Sequence, residues 1–113
     1  MHEMSLAEGI LQLVEETARR EQAHRVGTVI IEIGQLSSVE PDALRFCFDA
    51  VAAGTLAQGA KLEIIDIAGA GWCPSCNQNV AMSEIYATCP HCGNYQLQAK
   101  AGMEMRVKAI EIT

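Results

Sequence analysis

The sequence predicts an α+β protein: a small sheet of about three strands with two helices, interrupted by a short inserted subdomain carrying two CxxC knuckles. Three observations lead there. Two segments repeat apolar residues at helical spacing, around Leu6–Val14 and Leu44–Val51. Three segments are β-branched or alternating: Val26–Ile33, Lys61–Ala68 and Met103–Ile112. Between the second and third of these lie Cys73-Pro74-Ser75-Cys76 and Cys89-Pro90-His91-Cys92, separated by the twelve residues 77–88.

Ser5-Leu6-Ala7-Glu8 reads as a capping box, with hydroxyl and carboxylate placed to satisfy backbone N–H groups at a helix start. The first helix is therefore expected from Ser5, burying Leu6, Ile10, Leu13 and Val14, with Glu15–Arg19 and Glu16–Arg20 paired on its wet face. It should fade near His24. The run Val29-Ile30-Ile31-Glu32-Ile33 is expected to form a largely buried strand closed by Gly34. Pro41 suits the first turn of a second helix, Leu44, Cys47, Phe48 and Val51 share one face, and Gly54 is placed to end it. Cys47 on that stripe reads as a small packing residue rather than a ligand. After the strand at 61–68, Gly69-Ala70-Gly71 reads as a linker, and the last strand begins at Met103. The expected organisation is a discontinuous α/β domain, 1–68 plus 101–113, and a ribbon domain, 69–100.

The chain of 113 residues is 50% hydrophobic with a mean hydropathy of +0.12, enough for one modest core and not the signature of disorder. No apolar run approaches the roughly 18 to 20 residues that span a bilayer, and the chain opens on a polar segment with no leader, so a soluble, cytoplasmic protein is expected. Eight Lys plus Arg against fourteen Asp plus Glu give a net charge of −6, poor material for binding a polyanion. No phosphate-cradling glycine loop and no Ser/His/Asp pattern is present, so an enzyme is not expected.

In each knuckle the two-residue gap lets the chain reverse so that both sulfurs can face one ion. Cys73, Cys76, Cys89 and Cys92 together match the closed four-thiolate shell of structural zinc. Asn77 and Gly93 follow the two knuckles at equivalent positions, and both types tolerate a left-handed backbone. Disulfides would suit a secreted chain. A thioredoxin-type CxxC would be single and at a helix start. A rubredoxin-like iron site accepts the same thiolates, and only the sparse aromatic surroundings, Tyr86 with Trp72 and Tyr95, argue against it. Zn(II) is the cofactor this ligand set favours. His91 is expected to point away from a shell the cysteines already fill, and His24 to be a surface group.

Met1-His2-Glu3-Met4 precedes the capping box and is expected outside regular structure. An α-amine, the next amide nitrogen and the imidazole of a second-position His can close fused chelate rings on one ion, a nitrogen-rich planar set that suits Ni(II) or Cu(II). Glu3 could fill a further position or hold the imidazole. His2 is too large for removal of the initiator methionine, so it stays second. Taken alone, a terminal His is more often just a solvated side chain.

Met1-His2-Glu3-Met4-Ser5-Leu6-Ala7, Ile31-Glu32-Ile33-Gly34, Phe46-Cys47-Phe48-Asp49, Gly54-Thr55-Leu56-Ala57-Gln58-Gly59 and the two knuckles together resemble the HypA/HybF family of hydrogenase-maturation nickel metallochaperones. The resemblance covers nearly the whole chain. It implies a nickel-binding α/β domain and an inserted zinc domain with a stabilising and a partner-facing role. It maps His2 onto the family's nickel ligand, Glu3 onto a residue supporting nickel binding, Glu40 onto a position where some relatives carry an Asp near the nickel, and the four knuckle cysteines onto zinc. Ni(II) would be transferred cargo. The implied partners are a HypB-type GTPase, the large-subunit precursor of a nickel-iron hydrogenase and, for some relatives, urease maturation proteins; the resemblance is also compatible with a homodimer. Neither nucleic acid nor membrane is expected. The competing class is a zinc-ribbon adaptor binding protein or nucleic acid, and the absence of any Lys or Arg from Trp72 to Gln98 weighs against its nucleic-acid form.

Overall fold

The computed structural model describes residues 2–113. In chain order the elements are α1 (Glu3–Arg20), β1 (Val26–Gly34), α2 (Pro41–Ala52), β2 (Lys61–Ile67), β3 (Ala70–Cys73), β4 (Gln78–Ala81), β5 (Gln98–Ala101) and β6 (Met105–Ile112). They make two three-stranded sheets, ordered β2-β1-β6 and β4-β3-β5. The expected α+β class, with two helices and a small sheet, is what the chain adopts.

Two compact units emerge. The first comprises Met1–Ile31, Val39–Ile65 and Arg106–Thr113; the second comprises Glu32–Ser38 and Asp66–Met105.

In the first unit α1 packs against α2. The buried face of α1 is Ala7, Ile10, Val14 and Ala18, spaced three and four apart. The expected stripe through Leu6 and Leu13 is thus rotated: Leu13 remains 44% exposed. Small residues on the face let the opposing Leu44, Phe48 and Ala52 of α2 approach closely, which a leucine there would prevent. The helix starts at Glu3, two residues ahead of the expected capping box, so Ser5 and Glu8 are helical residues and not its cap. Two interactions extend it: the His2 carbonyl accepts from the Leu6 N–H at 2.8 Å, and the buried Glu3 carboxylate supplies negative charge to the first turn. α2 begins as expected, with Glu40 as N-cap accepting from Asp42 N–H at 3.3 Å and Pro41 in its first turn. It ends at Ala53, and Gly54 takes φ +80°.

The second unit is built on β3, antiparallel to both neighbours, with Cys73 opposite Gln78 and Trp72 opposite Gln98. The expected linker at Gly69-Ala70-Gly71 is not one. Gly69 donates to the Gln35 side chain at 2.9 Å and accepts from Met82 N–H at 3.1 Å, and Ala70 already pairs in β3. Segment 34–36 runs against the base of this sheet: Gly34 N–H reaches the Glu104 carbonyl and Leu36 N–H the Gly102 carbonyl, both at 2.6 Å. The approach is so close that a Cβ on Gly34 would strike the Gly102 carbonyl, while Gly102 itself sits at φ +94°. These contacts keep Gly102 and Met103 out of the last strand, which begins at Met105 instead of Met103.

Candidate metal centres

The first knuckle is the turn between β3 and β4; the second lies in the irregular segment between β4 and β5. Both close identically. Asn77 N–H bonds the Cys73 carbonyl and Gly93 N–H the Cys89 carbonyl, each at 2.8 Å, with Asn77 at φ 55° and Gly93 at φ 75°. The left-handed residues expected after the knuckles are therefore what turns the chain back. Within each loop an amide faces sulfur: Cys76 N–H to Cys73 Sγ and His91 N–H to Cys89 Sγ, both at 3.4 Å.

The four sulfurs lie within 4.8 Å of one another. Cys73 Sγ faces Cys92 Sγ at 3.6 Å and Cys76 Sγ faces Cys89 Sγ at 3.8 Å. A regular tetrahedron of Zn–S bonds of about 2.3 Å has edges of about 3.8 Å, so both cross-knuckle pairs already sit at the separation a zinc ion requires. All four thiols are free, and both distances far exceed the roughly 2.05 Å of a disulfide. Cys73 and Cys89 are buried, backed by Val80 and Leu97, while Cys76 is half-buried and Cys92 exposed.

Without a cation, four thiols this close cannot ionise together. Cys76 is pushed from 9.0 up to about 12, first by the Cys92 thiol and then by burial and the other two sulfurs. For Cys89 burial acts upward, yet the backbone hydrogen bonds from Cys92 and His91 outweigh it and bring the thiol down to about 6. Cys92 is raised overall: the Asn94 backbone and the Cys76 thiol lower it, but partial loss of water around its sulfur, although the residue is exposed, and the thiols of Cys73 and Cys89 prevail. A divalent ion at the centre would stabilise all four thiolates at once, overcoming the upward shifts of Cys76 and Cys92.

At the other end, His2 is the N-cap of α1, exposed, with no side-chain capping bond. Glu3 is 9% exposed, and its Oε2 accepts from the Glu40 N–H at 3.2 Å. The structure thus brings the first residue of α1 to the N-cap of α2, joining two residues that resemblance alone had associated. Of the residues expected outside regular structure, His2 is so placed, as the N-cap, whereas Glu3 and Met4 are helical, with Glu3 tied to the N-cap of α2 by its bond to the Glu40 N–H. The tether itself is not legible in the sequence; the Glu40-Pro41 pair signals only a helix start. The α-amine of the expected chelate belongs to Met1, outside the described residues. Among the described residues, the four cysteines are the one group of three or more His, Cys, Asp or Glu side chains set to hold a metal. His2, Glu3 and Glu40 do not converge in that way. His24 and His91 are exposed, and half-buried Cys47 lies apart from the cluster.

Helices on a small sheet, together with a ribbon that gathers four thiols, define a metal-binding α+β protein with a zinc-ribbon-type centre. A family profile described as "Hydrogenase/urease nickel incorporation, metallochaperone, hypA" matches residues 1–112. The chain is 64% identical over 112 residues to the hydrogenase maturation factor HypA of Dechloromonas aromatica and 56% identical to that of Albidiferax ferrireducens, covering 99% of both chains in each case. It is also similar to the solution structure of the Ni metallochaperone HypA from Helicobacter pylori, with TM-score 0.70, 27% identity and coverage of 99% of this chain and 97% of that one. This chain belongs to the HypA family of nickel-incorporation metallochaperones. None of its described helices is long and apolar enough to cross a membrane.

Proposed function

We propose that the chain carries Ni(II) at its amino terminus, anchored by His2, and delivers it to the large-subunit precursor of a nickel-iron hydrogenase while Cys73, Cys76, Cys89 and Cys92 hold a structural Zn(II). The observation that carries the nickel half is the state of His2: an exposed imidazole at the start of α1 that is not used as a cap. The positive end of the α1 dipole favours negative charge, so it assists loss of the amide proton needed for an amide-nitrogen ligand and weakens the hold on the cation itself. Such a site binds through few ligands and releases by ligand exchange, which suits delivery. Glu3 supports it by position, with its Oε2 held by the Glu40 N–H.

The zinc half rests on the thiol geometry. Four thiolates leave no open coordination position, so the ion's role is cross-linking: its binding free energy becomes folding free energy of the ribbon. The ribbon has no Lys or Arg between Trp72 and Gln98 and exposes Ile85, Tyr86 and Tyr95, an almost uncharged surface suited to protein contact rather than to nucleic acid. A HypB-type GTPase is the working partner in this reading, and the compartment is the cytoplasm.

The test is a calorimetric nickel titration of zinc-loaded protein with an untagged amino terminus, wild type against His2→Ala, with metal analysis before and after. One nickel bound by wild type and lost in the variant, with one zinc retained in both, is the expected result. Unchanged nickel binding in His2→Ala would remove His2 as the anchor.

A further inference from the structure

The two knuckles close alike but are supported differently. Cys73 is the last residue of β3 and pairs with Gln78 of β4, so a strand ladder holds the first knuckle from both sides. No strand lies between Ala81 and Gln98, and the second knuckle is held by turns. Something other than a sheet must aim Cys89 and Cys92 at their partners. Asn94 is placed to do so. Its carbonyl accepts from the Cys89 N–H at 2.8 Å. Its Oδ1 accepts from the Gln96 N–H at 2.9 Å, which fixes the orientation of the amide and leaves Nδ2 facing the first knuckle. There Nδ2 donates to Ser75 Oγ at 2.6 Å. Among the described residues, this is the side-chain bond other than the facing sulfurs that spans the two knuckles.

We propose that Asn94 is a positioning residue for the metal centre, a clasp that holds the second cysteine pair against Ser75 in the first so that all four sulfurs stay at tetrahedral separation. The inference rests on the four-thiolate zinc reading and deepens it. The Asn94 side chain is engaged by Ser75 and Gln96, so Asn94 acts indirectly. It acts through Cys89, whose backbone it bonds, and through Ser75, which lies between Cys73 and Cys76. With the clasp closed, a cysteine that leaves the ion remains beside it and religates. With the clasp open, the strandless knuckle swings away and the ion is lost. Groups bonded just behind metal ligands affect affinity by roughly tenfold to a hundredfold, and an effect of that size is expected here in the rate of zinc loss.

The experiment measures first-order zinc transfer from the full chain to excess chromogenic chelator, after metal analysis has established zinc content. Asn94→Ala is expected to release zinc roughly tenfold to a hundredfold faster than wild type. Ser75→Ala, which removes only an exposed hydroxyl, should reproduce that acceleration, and Ser75→Thr should stay within about twofold of wild type because the acceptor is kept. The double variant Ser75→Ala/Asn94→Ala should be no faster than the faster single one, as expected for two halves of one contact. Cobalt-loaded Asn94→Ala should also show altered thiolate-to-cobalt absorption, which a merely stabilising residue would leave in place while lowering the melting temperature. Release by Ser75→Ala within about twofold of wild type, or effects that multiply in the double variant, overturns the clasp even if Asn94→Ala fails to fold. A zinc-free wild type would instead overturn the zinc reading, and the clasp's role with it.

Discussion

Replacing Glu3 separates two roles that the same carboxylate could serve. If it tethers α1 to α2, Glu3→Ala removes the acceptor of the Glu40 N–H, a bond to a charged group worth about 1.5–3 kcal/mol. At 3.2 Å, with Glu40 itself exposed and able to regain water, the lower end applies, about 1.5 kcal/mol. Glu3 is also 9% exposed, so losing its buried methylene adds about 0.8 kcal/mol. Loss of the acidic group from the first helical turn contributes about 0.5 kcal/mol more. The sum is about 2–3 kcal/mol, or roughly 10 °C in melting temperature for a chain of this size. Glu3→Gln keeps the methylenes and a carbonyl acceptor, and should lose only about 0.5–1 kcal/mol. Urea unfolding of the three zinc-loaded proteins resolves that difference, and parallel nickel titrations should show Glu3→Gln retaining the nickel stoichiometry of wild type. The tether is refuted if Gln is as damaging as Ala in unfolding, or if Gln abolishes nickel binding while leaving stability intact, since the carboxylate would then be a ligand and not a tether.

Cys73→Ala should lose zinc and melt the ribbon, while His2→Ala leaves far-UV circular dichroism and melting temperature unchanged; metal analysis and a thermal scan check both. Acid should strip the zinc. Cys76 and Cys92 sit above their ordinary thiol range, so both surrender protons to the ion at neutral pH, and zinc affinity should rise at least about a hundredfold per pH unit, measurable by competition between pH 6 and 8. In metal-free protein the signs differ by residue. Cys89, lowered from 9.0 to about 6, stabilises the fold fully above 9.0 and loses that contribution as pH falls through 6. Cys76, raised to about 12, contributes fully below 9.0 and loses its share as pH rises through 12. Gly34→Ala should destabilise by about 3 kcal/mol, because the new methyl meets backbone of Gly102 and no flexible side chain; denaturant unfolding against wild type reads the change.

Local chemistry makes much of this protein legible in its residues. A CxxC followed by Asn77 or Gly93 specifies its own loop closure, since the turn, the left-handed residue and the paired sulfurs all lie within five neighbouring residues. Pro41 and Gly54 mark the ends of α2 for the same reason: each acts through its own backbone angles. The start of α1 is different. Ser5 and Glu8 make a plausible cap, but the helix extends to Glu3 because its carboxylate meets an N–H 37 residues away. Likewise, Gly69-Ala70-Gly71 has the composition of a linker, yet Gln35, Met82 and Ala81 supply its hydrogen-bond partners. The order of residues was enough to specify the knuckles, the two helices, strands β1, β2 and β6, the α+β class and the family, but not the ribbon strands β3, β4 and β5. Folding in three dimensions was needed to settle that residues 32–38 join the ribbon's unit, that β1 lies between β2 and β6, and that Cys73 faces Cys92 while Cys76 faces Cys89. Those features depend on contacts between residues distant in the chain, and spacing along a sequence encodes only neighbours.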